Sequence, residues 1–185
     1  MKQFYSISVL ILMSLPVSSQ SKHTGTFEIK TNLLNLIAAG PSLGLEYDLQ
    51  NNFTIMFSAA KGRIDYGDFG GVTRYTTSTF ELRKYSENKL LFIGPYLKNI
   101  NKKVLSTQSM IAGMIPVGKE RDFVGNGLSI GASTGIKFPL SHHLNVELNP
   151  QIGYGHYYKM TDKFNSLPTG NYLDARIALW FGFRL

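Results

Sequence analysis

The 185-residue chain has no cysteine, which excludes disulfides, thiol nucleophiles and thiolate metal sites. Long apolar runs are also missing. The best stretch, Ile7 to Leu15, falls short of the roughly 20 residues that a spanning helix needs, and nothing later in the chain approaches it. The net charge is +7, but no Lys/Arg runs of the nucleic-acid kind occur. Nucleic acid is therefore not an expected partner, and the basic balance is expected to face phosphate headgroups or solvent.

The short apolar stretch has another use. Lys2 precedes it, Pro16 breaks it, and Val17-Ser18-Ser19 supplies small residues. This is the pattern of a cleaved export signal. Residues 1–19 are expected to be that signal and 20–185 a single exported domain. No cysteine follows the small residues, so a lipoprotein signal is excluded.

From Thr26 onward the chain alternates apolar and polar residues, the period of a β-strand. Phe27, Ile29, Thr31 and Leu33 oppose Glu28, Lys30 and Asn32. Leu43, Leu45, Tyr47 and Leu49 oppose Gly44, Glu46 and Asp48. Phe53, Ile55, Phe57 and Ala59 oppose Thr54, Met56 and Ser58. Shorter runs centre on Phe80–Leu82 and on Leu91–Leu97, where Phe92 and Tyr96 leave the phase less sharp. Leu128 to Phe138, Leu144 to Tyr154 and Ala175 to Leu185 complete eight strands.

The connections alternate as well. Those around Asn51, Asn88 and Ser141 are short. The segments Lys61 to Gly71, Asn99 to Asp122 and Lys159 to Asn171 are long. An up-and-down meander then has short turns and both termini at one end, and loops at the other.

Which face points inward decides between a soluble and a membrane barrel. Glycine crowds the polar face at Gly44, Gly94, Gly127, Gly131, Gly135, Gly153, Gly155 and Gly182. It gains nothing on a solvated surface, but it makes room inside a narrow barrel for neighbours such as Trp180. The same face carries Glu28, Glu46, Asp48, Glu81 and Glu147 against Lys30, Arg83, Lys98, Lys137, Arg176 and Arg184. Buried charges must be paired, and these nearly balance. Aromatic residues near strand ends suggest two interfacial girdles: Tyr47, Phe53, Tyr85 and Phe138 at the turn end, Tyr154, Tyr158 and Tyr172 at the loop end. These features put the polar face inward. The expected fold is all-β, an eight-stranded antiparallel up-and-down transmembrane barrel. Its lumen would hold a charge network of Glu28, Lys30, Glu46, Glu81, Arg83, Lys98, Lys137, Glu147, Arg176 and Arg184. Pro150, which lacks an N–H, is expected to cause a bulge.

The pattern resembles the small eight-stranded outer-membrane barrels of the OmpA/OmpX type. Lys30-Thr31-Asn32-Leu33-Leu34, followed by Leu43-Gly44-Leu45-Glu46-Tyr47, is also similar to an uncharacterised family of exported barrel proteins. The resemblance implies a Gram-negative-type outer membrane, with its lipid and lipopolysaccharide and its insertion machinery as partners. It implies no activity and no cofactor. The chain ends in Leu185 behind Phe183, where such barrels usually end in an aromatic residue.

The expectation is therefore a monomeric, non-enzymatic barrel with a side-chain-plugged lumen, in a structural or surface-contact role. Two alternatives accompany it. One is a lipid-modifying barrel enzyme using His156, although the His-x-Ser spacing of lipid A deacylases, which this arrangement resembles, is absent. The other is a soluble exported barrel binding an apolar ligand, which needs the apolar face inward. Glu81 and Glu147 could form an acid/base pair, but pairing with lumen arginines is the simpler role. Residues Gly113 to Glu120 nearly match a phosphate-binding loop, yet Glu120 stands where a hydroxyl belongs. His142-His143 lies in a turn and has no carboxylate nearby in sequence, so no metal site is expected. Met110, Ile111, Met114 and Ile115, with Lys102, Lys103, Lys119 and Arg121 around them, form a candidate contact patch in the longest loop.

Overall fold

A computed structural model describes residues 25–37, 40–49, 51–65, 72–105, 111–112, 115–116, 122–161, 166–167 and 169–185. The expected signal, the near phosphate-loop and the loop patch lie largely outside these residues. The long strands are β1 (Phe27–Asn32), β2 (Ser42–Asp48), β3 (Phe53–Asp65), β4 (Val72–Tyr85), β5 (Leu91–Leu105), β8 (Phe123–Pro139), β9 (Leu144–Thr161) and β11 (Gly170–Arg184). Short pieces accompany them: α1 (Leu33–Ile37), β6 (Ile111–Ala112), β7 (Ile115–Pro116) and β10 (Ser166–Leu167). Each long strand pairs antiparallel with its neighbours, β9 pairs with β8, and β11 returns to β1, so eight strands close a ring.

The ladders fix the slant of this ring. Stepping sideways from Phe183 leads through Ile29, Leu45, Phe57, Phe80, Leu97, Ile130 and Tyr154 to Leu173. One circuit of eight steps thus returns to β11 ten residues from its start (183 − 173). That stagger is what tilts the strands and sets the barrel's width.

Alternation sorts the side chains as expected. Ile93, Ile130, Ile152 and Ile177 are exposed, while Glu46, Glu81, Arg83 and Lys98 are buried. The apolar face is outward, opposite to what the soluble-barrel alternative requires. Asn51 and Asn52, with φ of 60° and 62°, lie in the short turn between β2 and β3, which the Leu49 N–H closes by donating to the Phe53 carbonyl at 2.7 Å.

Several expectations need correction. Leu33 does not extend β1; it begins α1. The Asn32 side-chain oxygen accepts the Leu34 N–H at 3.1 Å, an N-cap that starts a helix of leucine-rich sequence. Toward the loop end, β3, β4, β5 and β9 run further than their alternation suggested, because outside an apolar belt the backbone ladder persists while the hydrophobic pattern fades. Tyr85 and Tyr172 belong to the inward parity, not to the girdles, and Tyr85 is buried. Pro150 makes no bulge. Its register with β11 is continuous, and the Asn149 side-chain amide donates to the Thr134 carbonyl at 3.0 Å, supplying the hydrogen that proline lacks. The register shift of β8 against β9 falls instead at Asn126/Gly127, where Tyr158 is passed over.

Candidate functional site in the barrel lumen

The interior is layered. At the turn end, Arg184 from β11 holds Glu28 at 2.9 Å, and Lys137 from β8 holds the same carboxylate at 2.8 Å. Lys137 also reaches Glu46 at 3.2 Å. In the next layer Lys30 lies 2.5 Å from both Glu46 and Glu147. Arg83 binds Glu46 at 2.8 Å, Glu147 at 3.0 Å and Glu81 at 2.9 Å. Lys30 and Glu46 are 1% exposed, and Arg83 and Glu147 are fully buried. Arg176 caps the cluster, 4.0 Å from Glu81. Four carboxylates thus face five cations, and the two at the ends, Arg176 and Arg184, are partly exposed. A lone ion in such a site costs several kcal/mol, so reciprocal neutralisation is what lets the layer exist.

Nine of the ten residues expected to share a network are therefore connected through direct ion pairs. Lys98 is not among them. It pairs nearer the loop end with Asp174, which also accepts from Ser129 at 2.6 Å and Tyr96 at 2.9 Å. The sequence reading missed Asp174, although it lies two residues before Arg176 on the same parity. Asp48 lies at the turn end, 3.3 Å from Lys89.

Neutral side chains finish the packing. The Tyr85 hydroxyl donates to Glu46 at 2.9 Å, and the Arg83 guanidinium sits 4.3 Å from the centroid of the Phe92 ring. Gln151 donates to Glu81 at 2.5 Å and accepts from Arg176 at 2.5 Å, joining the two by an amide. Trp180, Met56 and Ala178 form an apolar wedge beside the ions. Tyr96 lies over the facing pair Gly131 and Gly153, where an added Cβ would come within 2.7 and 2.4 Å of its ring and hydroxyl. Those glycines make room both for the tyrosine and for the facing backbone, since the Ile152 and Ile130 carbonyl oxygens would lie 2.2 and 2.5 Å from the same Cβ atoms.

The wall is uneven. β1 has 6 residues and β2 has 7, against 13 to 18 in the other six staves. Above Trp180, no strand among the described residues pairs with β11 on its β1 side. Side chains take over there. Asn32 accepts the Leu179 N–H at 3.2 Å. Buried Asn35 donates to the carbonyls of Gly40 (2.9 Å), Pro41 (3.2 Å) and Lys61 (2.9 Å), and accepts from the Tyr75 hydroxyl at 2.5 Å.

His156 is exposed on the outward face, its Nδ1 2.7 Å from the Asn171 side-chain oxygen; its cross-strand partners are Leu128 and Asn171. His143 lies in an exposed turn, its Nδ1 3.1 Å from the Arg184 carbonyl oxygen. Glu81 and Glu147 are both held by Arg83, away from solvent. Among the described residues, no group of His, Asp and Glu is arranged to hold a metal ion.

A closed ring of eight tilted antiparallel strands, apolar outside and charged inside, defines a transmembrane β-barrel of the outer-membrane type. A major outer membrane protein of Thermus thermophilus has a similar fold, at 9% identity over 88% of this chain and 100% of that one, with a TM-score of 0.50. Neisserial surface protein A (12% identity, 87% and 93% coverage, TM-score 0.47) and the Yersinia pestis outer membrane protein Ail (13%, 87% and 99%, 0.46) are also similar. The chain belongs to the family described as "Protein of unknown function (DUF3575)", whose model matches residues 6–184. No curated protein matches it in sequence.

Proposed function

We propose that the protein is an integral outer-membrane barrel of a Gram-negative-type cell, with its lumen sealed by side chains and a structural or surface-contact role. The observation that carries this reading is the Lys30–Arg83–Glu46–Glu147 layer, whose residues are at most 1% exposed and paired across the interior. Ion pairs this close and this deeply buried support a lumen closed to a continuous file of water. The surrounding lipid and lipopolysaccharide, and the machinery that inserts such barrels, are its partners in this reading; it acts as a monomer and not as an enzyme. His156 lacks a hydroxyl nucleophile among its cross-strand neighbours, which weighs against lipid-modifying chemistry.

Two measurements test the proposal. Fractionation should place the protein in outer membranes, extractable by detergent and of different gel mobility before and after boiling. Reconstitution into planar bilayers should give no large steady conductance. A freely soluble protein would overturn the membrane reading, and a large steady conductance would overturn the sealed lumen alone.

A further inference from the structure

The outer surface carries a row of cations that sheet pairing alone does not justify. Arg63 on β3 is directly opposite Arg74 on β4, and Arg74 is directly opposite Lys103 on β5. All three are exposed on the outward parity. Like charges facing one another across adjacent strands destabilise a sheet, and here three stand side by side. Asp65 meets the row at one end, 3.3 Å from Arg63. Lys61 lies two residues lower on the same face, with a stem long enough to lift its ammonium toward the row.

Height decides what the row faces. Outward apolar positions climb unbroken to Leu173 on β11 and to Tyr154 on β9, where exposed Tyr158 follows beyond His156. The unbroken run stops at Ala59 on β3, at Phe80 on β4 and at Leu97 on β5, and the paired Val72 and Leu105 face outward again just above the row. Five of the eight steps in the ten-residue slant separate Phe57 from Leu173, so Leu173 lies about six residues above Phe57 along the strand direction. Arg63 is also six residues above Phe57. The same slant puts Arg74 about one residue higher than Arg63, and Lys103 about two. The row therefore sits at the upper rim of the apolar belt, where hydrocarbon gives way to headgroups. Below it on the same strands, Lys61, Thr76, Ser78 and Asn99 replace the apolar residues found at that height across the barrel.

We propose that Arg63, Arg74 and Lys103 form a binding strip for phosphate groups of the membrane lipids around the loop end. Fixed lipid phosphates add negative charge to a row in which Arg63 already pairs with Asp65, at the level where lipid presents it. Arginine suits the task because its planar fork binds phosphate in bidentate fashion. The inference rests on the outer-membrane reading and adds an oriented lipid contact on one side of the barrel.

The test uses the full mature protein folded in neutral maltoside micelles and titrated with diphosphoryl lipid A or its dephosphorylated form, with bound lipid counted by native mass spectrometry. The wild type is expected to prefer the phosphorylated lipid. The R63Q/R74Q/K103Q variant is expected to lose that preference by on the order of 100-fold, about fivefold for each cation. A K84Q/K89Q control, altered at the turn end, should bind as the wild type does. Should the triple variant not fold, R74Q alone should show the single-cation loss. Equal binding by variant and wild type would overturn the strip, as would complete displacement of lipid by inorganic phosphate, which would make it a free-anion site. Gel mobility of unboiled samples separates the two failures. A variant that keeps barrel mobility and full binding removes the strip alone, whereas a wild type without heat-dependent mobility removes the barrel reading itself.

Discussion

The lower and upper halves of this barrel solve the same problem with different means. At the turn end eight strands close the wall, and a dense ion cluster fills the interior. At the loop end β1 and β2 have stopped, six strands continue, and among the described residues the interior holds tyrosines and the Lys98–Asp174 pair. In the lower half backbone ladders satisfy backbone groups. At the boundary that work passes to the amides of Asn32 and Asn35. A membrane barrel tolerates missing ladder bonds only where other groups replace them, so the two halves should respond differently to substitution.

The largest effect is expected in the lower half. Arg83→Met leaves Glu46, Glu81 and Glu147 short of their shared cation and should cost about 3–5 kcal/mol. Urea unfolding in micelles would measure it, and a near-neutral result would mean that the cluster does not stabilise the closed half. At the boundary, Asn35→Ala strips three carbonyls of a donor and should cost about 2 kcal/mol. Hydrogen exchange should quicken at Gly40 and Lys61 while β8 and β9 stay protected; a uniform change would erase the distinction between the halves. Ser129→Ala in the upper half should cost about 1 kcal/mol, since the Asp174 carboxylate keeps Lys98 and Tyr96 as donors. A loss as large as that of Arg83→Met would show that the upper half is as tightly coupled as the lower. The smallest effect belongs to the outer surface. His156→Ala should shift stability by less than about 0.5 kcal/mol and leave the lipid A profile of the cells unchanged. An altered profile would revive the enzymatic reading.

The parts of this architecture legible in the sequence are those that repeat with period two. Glu28, Lys30, Glu46, Glu81, Arg83 and Glu147 announce the lumen because each alternates with apolar neighbours along its strand. Where alternation is interrupted, the reading erred for identifiable reasons. Leu33 looks like a strand residue by parity, but the side chain of Asn32 caps a helix that begins there. Tyr85 and Tyr172 look like girdle residues by composition, yet their parity places them inside. Pro150 suggested a bulge because the missing hydrogen was counted, while the neighbouring amide that supplies it was not. Asn35 was not legible at all: its partners, Gly40, Pro41, Lys61 and Tyr75, come together only once the wall has closed.

The brevity of β1 has a consequence for assembly. The first and last strands meet over five residue pairs, Glu28–Arg184 to Asn32–Trp180, whereas β9 and β11 share fourteen. β1 is thus the most lightly held strand, with four pairs to β2 and five to β11, and only the join to β11 has no short chain connection behind it. Closure there should come last during insertion, and the same seam should part first under strain. The rest of the ring can then survive as a preformed curved sheet, waiting on a five-pair clasp.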